Sequence, residues 1–477
     1  MPAAKTMGYK TLSTWNQMAP RVYTGHCFCF PYLPNGNLHA LESHLRTALD
    51  ALTRRIPFLR QVIKPHPDHP DQVCLFPSEN ANPIPLKISD ERHSFGWTYR
   101  QLKSQGFPAK AFVGTKFDLP PSLPTHERGV HVFGVEAKLI DGGLLLINHL
   151  HHSVTDGVGR TLITNAFASL TRDPSGQSLA DAPPIDIHAE VPAHLEQAPD
   201  PALPVASLLA RCPEYRLLDA PYGPTIPYLG PPGPPFASIR RTGRIFVVAP
   251  HALARLRQQL GGGGGAKAPS SFTCLAALTW AHATKARLAS AAAADRDING
   301  DEAHAASDGT WDDLGKGNGQ TARIVTVVNW RQRALGRALR CLARAIEASA
   351  RGVDDGFVAT RTALFRRFED IRMLGIDGDP RDARAFAFNT WRYVYKGTPG
   401  WGLPGVPVGG EGDGGEAGVQ PDAIRRSQKE WDMGYGFILP ERKGFDGLEV
   451  LVTLEPDAMD ALLADKAWMS WVEEVIE

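Results

Sequence analysis

An unbroken apolar run, Leu144-Leu145-Leu146-Ile147, leads within a few residues into His151-His152-Ser153-Val154-Thr155-Asp156-Gly157. The run reads as a buried strand. Downstream, Val158, Leu162, Ile163, Ala166 and Leu170 recur at the spacing that puts apolar groups on one face of a helix. A strand that passes so quickly into a helix belongs to an α/β architecture, and side chains at such a junction can meet a cleft. Gly157 suits a tight turn in which a larger side chain would collide.

The residues at this junction carry chemistry. A neutral imidazole can take a proton from a hydroxyl or an amine, since its unperturbed pKa lies near 6.5. His152 is the candidate base. Asp156, four residues on, can brace the loop or pair with a cation. The plain structural alternative makes Asp156 a helix cap and His152 a satisfied core histidine. His149 and His151 alternate along the strand end and face away from His152, so a three-histidine zinc site is geometrically awkward and no metal is expected.

A chain of 477 residues is too long for one ordinary core, so two domains are expected. With 43% hydrophobic residues, 21% charged residues and a formal charge of zero, the composition is that of a globular protein without a basic stripe. Nucleic acid is therefore not expected as a partner. No stretch approaches the roughly 20 apolar residues that cross a bilayer, and the N-terminus lacks a signal-peptide pattern. Six cysteines scattered through apolar sequence fit buried free thiols in a reducing, cytoplasmic setting.

Strand-like and helix-like patterns alternate over 1–180, the expected first domain. From 181 to 240 the chain turns proline-rich, which reads as an extended connector over the surface. The second domain is expected over 241–477. In it, Ser270 to Arg287 has a clear helical pattern, and Ile324 to Val328 and Leu448 to Leu454 read as strands. Mobile insertions are expected near 290–320 and 405–420. The Gly261–Gly265 run is not a phosphate cradle, because no Gly-Lys-Ser/Thr follows it.

These landmarks resemble a family. Gly142-Gly143-Leu144 running into the histidine motif, and the helix ending Leu170-Thr171-Arg172, are similar to the BAHD-type acyltransferases and their fungal relatives. Those enzymes belong with chloramphenicol acetyltransferase and peptide-synthetase condensation domains. Further matches follow in the same order: Ser271 to Trp280 with Ala286-Arg287, then Val328-Asn329-Trp330-Arg331-Gln332-Arg333, Asn389-Thr390-Trp391, and Asp432-Met433-Gly434-Tyr435-Gly436. Met433 and Tyr435 stand where the family has Phe and Trp, and no Tyr-Phe-Gly-Asn-like tetrapeptide follows Arg333.

The resemblance implies an α/β (α+β) fold of two chloramphenicol-acetyltransferase-like domains. Each would be a mixed sheet with helices, and an active-site channel would run between them past His152. It implies an acyl-CoA-dependent O-acyltransferase, with acetyl-CoA as the default co-substrate and no permanently bound cofactor. The acceptor would be the alcohol or amine of a small secondary metabolite. Asp156 would pair with Arg331. Thr390 or Asn389 would donate to the oxyanion, and Trp391 would line the acceptor pocket. Gly157, Asp432, Gly434 and Gly436 would be structural, with the Asp432 motif remote from the chemistry. Arg425, Arg426 and Lys429 are candidates for the coenzyme phosphates. Three alternatives share the histidine: a condensation-type enzyme using an acyl carrier protein, a cyclase or isomerase with a histidine base, and a non-catalytic binding member.

Overall fold

The structure is a computed structural model that describes residues 8–78, 84–117, 120–126, 128–180, 203–221, 238–261, 269–299, 323–326, 342–376, 378–407 and 418–477. In chain order, the elements that frame the site begin with β1 (Tyr23–Pro31), α1 (Leu38–Arg55), β2 (Leu86–Asp90), β3 (Phe133–Ile140), β4 (Gly143–His151) and α2 (Gly157–Arg172). They continue with β5 (Thr242–Val248), α3 (Ser271–Asn299), β6 (Arg323–Thr326), β7 (Ala385–Thr390) and β8 (Ala423–Ser427). The series closes with β9 (Tyr435–Ile438), β10 (Leu448–Leu454), α4 (Pro456–Ala464) and β11 (Glu474–Ile476).

Two mixed sheets organise the chain, each built mainly from one half. The first has the order β8-β1-β4-β3-β2, antiparallel throughout except for the parallel pair β2–β3. The second has the order β6-β7-β9-β10-β5-β11, parallel along β6-β7-β9 and antiparallel beyond. The two-domain α/β expectation holds. Every residue of β4 is buried, as the apolar run demands of a strand covered on both faces. Phe28, Phe30, Leu144 and Leu146 face a core shared with α1 and α2, whereas Cys27, Cys29, Leu145 and Ile147 pack under Tyr99, Phe107 and Phe112. Alternation along single strands divides the two cores.

The halves are interwoven. Strand β8 comes from the second half of the sequence yet pairs with β1, Arg426 opposite His26. Arg425 and Glu449, both buried, then tie β8 to β10 with a 2.9 Å contact. Trp401 follows β7 and is wholly buried in the first core, its ring centroid 5.3 Å from Phe28 and 5.4 Å from Phe167. Burying such a side chain is worth roughly 3 kcal/mol. That packing is enough to fix an irregular segment.

Several local expectations change. In the stretch read as an extended connector, 203–221 and 238–240 are described, and the first of these holds a helix, Val205–Arg211, and a strand, Tyr215–Leu217, that pairs with Leu374–Ile376. Helix α3 runs on through Asn299, into the region where a mobile insertion was expected, while 300–322 lies outside the described residues. Leu403, Val406 and Val419 join the first core at the edges of the Gly/Pro-rich 405–420 loop, of which 408–417 lies outside the described residues. Val158 and Leu162, assigned to the buried face of α2, are 41% and 46% exposed. The face that does pack runs through Arg160, Ile163, Thr164 and Phe167. Among the described residues, no helix is long and apolar enough to cross a membrane.

Candidate active site

Strand β4 delivers His151 and His152 to the edge of the first sheet, where their fates separate. His152 N–H still bonds to Val22 O at 2.8 Å, the last tie to the β1 side before the chain turns away. His151 is buried: its Nε2 lies 2.9 Å from Ser122 O, and its Nδ1 accepts from Ser153 N–H at 3.3 Å. Its ring meets Tyr23 edge-on, with centroids 5.1 Å apart. Burial drives its pKa down to about 4. With both nitrogens engaged, His151 is a structural residue.

His152 is half-buried, and its Nδ1 is sealed from solvent with no hydrogen-bond partner. Its Nε2 makes no hydrogen bond among the described residues. Burial lowers its pKa and the cations Arg160 and Arg426 lower it further, against the opposing pull of the residue's own backbone and of Asp156. A neutral imidazole with a free nitrogen can accept a proton at ordinary pH.

Asp156 is the N-cap of α2, accepting from Val158 N–H and Gly159 N–H at 3.1 Å each. Arg331, its expected partner, lies outside the described residues, as do Asn329 and Trp330. Gly157 is the first residue of the helix, and a Cβ there would come no closer than 3.9 Å to Val394. Among the described residues, the collision expected at Gly157 is absent.

Beneath α2, next to His152, lies a buried polar cluster that the motif did not announce. Arg160, on the packed face of α2, donates to Thr24 O at 2.9 Å, Leu150 O at 3.3 Å and Asn148 O at 3.4 Å, and to the Thr24 hydroxyl. It pins the helix to the ends of β1 and β4. His26 sits on β1 directly opposite Asn148. The Tyr395 hydroxyl is hydrogen-bonded to His26 Nδ1, and the Trp391 ring stacks on His26 with centroids 4.1 Å apart and planes 24° from parallel. The two Asn148 amide atoms are buried without partners among the described residues. Sequence signals existed: Arg160 is a charge on an otherwise apolar helical stripe, and His26 is the polar member of the inward series His26, Phe28, Phe30.

Trp391 and Tyr395 come from the segment after β7, so the second half meets the histidine motif here. Asn389 and Thr390 end β7, half-buried. Asn389 Oδ1 accepts from Thr390 N–H at 2.7 Å, and the Thr390 hydroxyl accepts from Arg392 N–H at 3.2 Å. Both side chains thus engage backbone, leaving the Thr390 proton available as a donor.

The remaining expected residues sort by burial. Arg425 is enclosed by Phe107 O, Gly106 O and Glu449, so it cannot meet a phosphate. Arg426 forms an ion pair with Asp432, with Nη2 and Oδ1 3.1 Å apart, and sits over the Phe437 ring at 5.0 Å. Arg426 stands opposite His26 in the β8–β1 pair, so the ion pair with Asp432 borders the polar cluster. Its glycines are structural: Gly434 has φ +57°, and a Cβ on Gly436 would stand 2.6 Å from the Phe388 ring on β7. Cavities of about 590 and 580 Å³ lie at the C-terminal end of α2, lined by residues such as Leu170 and Ser175 or Arg172 and Trp401, and His152 lines neither. No group of three or more His, Cys, Asp or Glu side chains is placed to hold a metal among the described residues.

Residues 22–170 match the trichothecene 3-O-acetyltransferase-like N-terminal domain family. An acyltransferase of Cordyceps militaris, cm3D, is 29% identical over 184 residues, 36% of this chain and 38% of that protein. The trichothecene 8-O-acetyltransferase of Fusarium sporotrichioides is 24% identical over 277 residues, 53% of each chain. The chain therefore matches about half or less of the length of these curated relatives. In structure, TRI101 of F. graminearum complexed with coenzyme A and deoxynivalenol superposes with a TM-score of 0.69 at 15% identity, covering 98% of this chain and 100% of that one. The similarity to BAHD-type and fungal acyltransferases that the histidine motif carried is borne out.

Proposed function

From a chain whose residues 22–170 belong with the N-terminal domains of fungal acyltransferases, we propose an acyl-CoA-dependent O-acyltransferase acting on a small secondary metabolite. The observation that carries this reading is His152: half-buried, held neutral, with Nε2 unbonded, where residues of the second half reach the motif strand. The relatives' names and the coenzyme A bound by TRI101 support thioester as donor and an alcohol as acceptor.

The step is direct transfer. The acceptor oxygen attacks the thioester carbonyl carbon while His152 Nε2 takes the hydroxyl proton. The carbonyl π electrons move onto oxygen, giving a tetrahedral oxyanion. Collapse restores C=O and breaks the C–S bond, and the leaving thiolate recovers the proton from His152. Base assistance of this kind is worth about 10² to 10⁴ in rate. No acyl-enzyme is required: Cys27, Cys29, Cys74, Cys212 and Cys274 are buried free thiols. Those thiols also fit the cytoplasmic setting. We keep 1–180 and 241–477 as the two domains and 181–240 as connector, the channel running between the domains.

Mass spectrometry of candidate alcohols incubated with the protein and a panel of acyl-CoA thioesters tests the reading. An acylated alcohol and free coenzyme A are expected. Turnover only with acyl groups loaded on a carrier protein, or rearrangement of an acceptor without any acyl donor, would replace it.

A further inference from the structure

Resting on the acyl-transfer reading, we propose that His26 is a second catalytic residue, whose Nε2–H donates the hydrogen bond that holds the tetrahedral oxyanion beside His152. Three observations converge on it. The first is the fixed position of the ring. Its face is covered by Trp391 at 4.1 Å, its edge is held by Tyr395, and the residue is only 3% exposed. A donor fixed in this way needs no reorganisation as charge develops.

The second observation concerns where the proton sits. An arginine guanidinium can only donate hydrogen bonds. In this proposal the Tyr395 hydroxyl, which lies beside the Arg160 guanidinium and the Thr164 hydroxyl, is the donor of its bond to His26 Nδ1. Burial holds the imidazole neutral, reinforced by Arg160 and Arg426. Its single proton therefore belongs on Nε2, which makes no hydrogen bond among the described residues. A neutral imidazole presenting N–H is a competent electrophile for a carbonyl oxygen.

The third observation is the field. His26 pairs with Asn148, four residues before His152, and the same two arginines act on both rings. Arg160 has no carboxylate partner among the described residues. Positive potential that discourages protonation of both imidazoles also favours a negative oxygen between them.

The test measures kcat and KM for acetyl-CoA and for an alcohol that the wild type acylates, in His26→Phe, His26→Gln and Tyr395→Phe. Phe keeps the stacking and loses the donor. It should lower kcat about 10²- to 10³-fold with both KM values nearly unchanged. Gln restores an N–H and should recover part of that loss, and Tyr395→Phe, which frees the tautomer, should lower kcat less than His26→Phe. Spectra of ¹⁵N-histidine-labelled protein should show His26 protonated at Nε2 and bare at Nδ1 without any turnover. An Nδ1–H tautomer overturns the role, as does an active His26→Phe enzyme with unchanged kcat or with only a raised KM. A wild type that transfers no acyl group despite the expected tautomer overturns the acyl-transfer reading and this role together.

Discussion

On the face of the first sheet turned away from α2, Lys138 lies between Glu91 at 2.8 Å and Glu136 at 2.9 Å, Lys87 reaches Glu136 at 2.7 Å, and His149 stands 3.7 Å from the same carboxylate. On the opposite face, under α2, Arg160 meets backbone carbonyls and one hydroxyl, the Asn148 amide is unpartnered, and His152 Nδ1 is bare. Both clusters are buried within one sheet. In the first, each charge has a counter-charge, so the cluster serves the fold. The second keeps positive potential and unused hydrogen-bonding capacity, an arrangement that costs stability and that chemistry can use.

The two clusters should therefore fail differently. His152→Ala should lower kcat at least a hundredfold and leave the melting temperature nearly unchanged, because it removes the base and little buried volume. Normal turnover in that variant would dissolve the functional half of the contrast.

Glu136→Gln should do the reverse. It leaves Lys138 with Glu91 alone, so urea titration should show a loss of about 3 kcal/mol with activity per folded molecule retained. Burial would push the Glu136 carboxyl up, yet the nearby His149 ring and the Lys87 and Lys138 ammonium groups bring its pKa down to about 2 from an ordinary 4.5. A depressed folded-state pKa stabilises above the unfolded value, so this contribution is complete above pH 4.5 and disappears as pH falls toward 2. A variant whose stability keeps the wild-type slope across that window would show that the charges are not coupled.

Asp156→Ala should cost about 1 kcal/mol, the worth of an N-cap, measured by chemical denaturation. The several-fold larger penalty of a broken buried ion pair would assign Asp156 an energetic role beyond its cap. The subtlest effect is expected at Arg160. Burial chiefly lowers the His152 pKa and Arg160 adds to it, so Arg160→Met should let that pKa rise and carry the acid limb of kcat/KM to higher pH. A limb that stays in place or moves to lower pH would separate the cation from the base.

Much of this was legible locally. The strand-to-helix junction, the position of the histidines and the possible cap at Asp156 follow from periodicity and short-range hydrogen bonding, which act within a few residues. Val158 and Leu162 were misassigned because an apolar stripe does not reveal which part of a helix the sheet covers. Arg425 passed for an exposed phosphate ligand because nothing near it in sequence names Gly106, Phe107 or Glu449, which enclose it. Trp401 stands just before the Gly/Pro-rich 405–420 stretch, among glycines and prolines that say nothing of a core role, yet three aromatic rings from the first half hold it.

By itself, the sequence determined a two-domain α/β chain with a histidine pair at a strand end, because apolar spacing and capping are properties of neighbouring residues. Which histidine is free was decided by tertiary structure: His151 is sealed by a carbonyl 29 residues away, at Ser122. The position of the His26 ring was decided the same way, through a phenol 369 residues distant. Contacts across such separations form only when the two sheets pack, and burial then sets the charge state of both imidazoles.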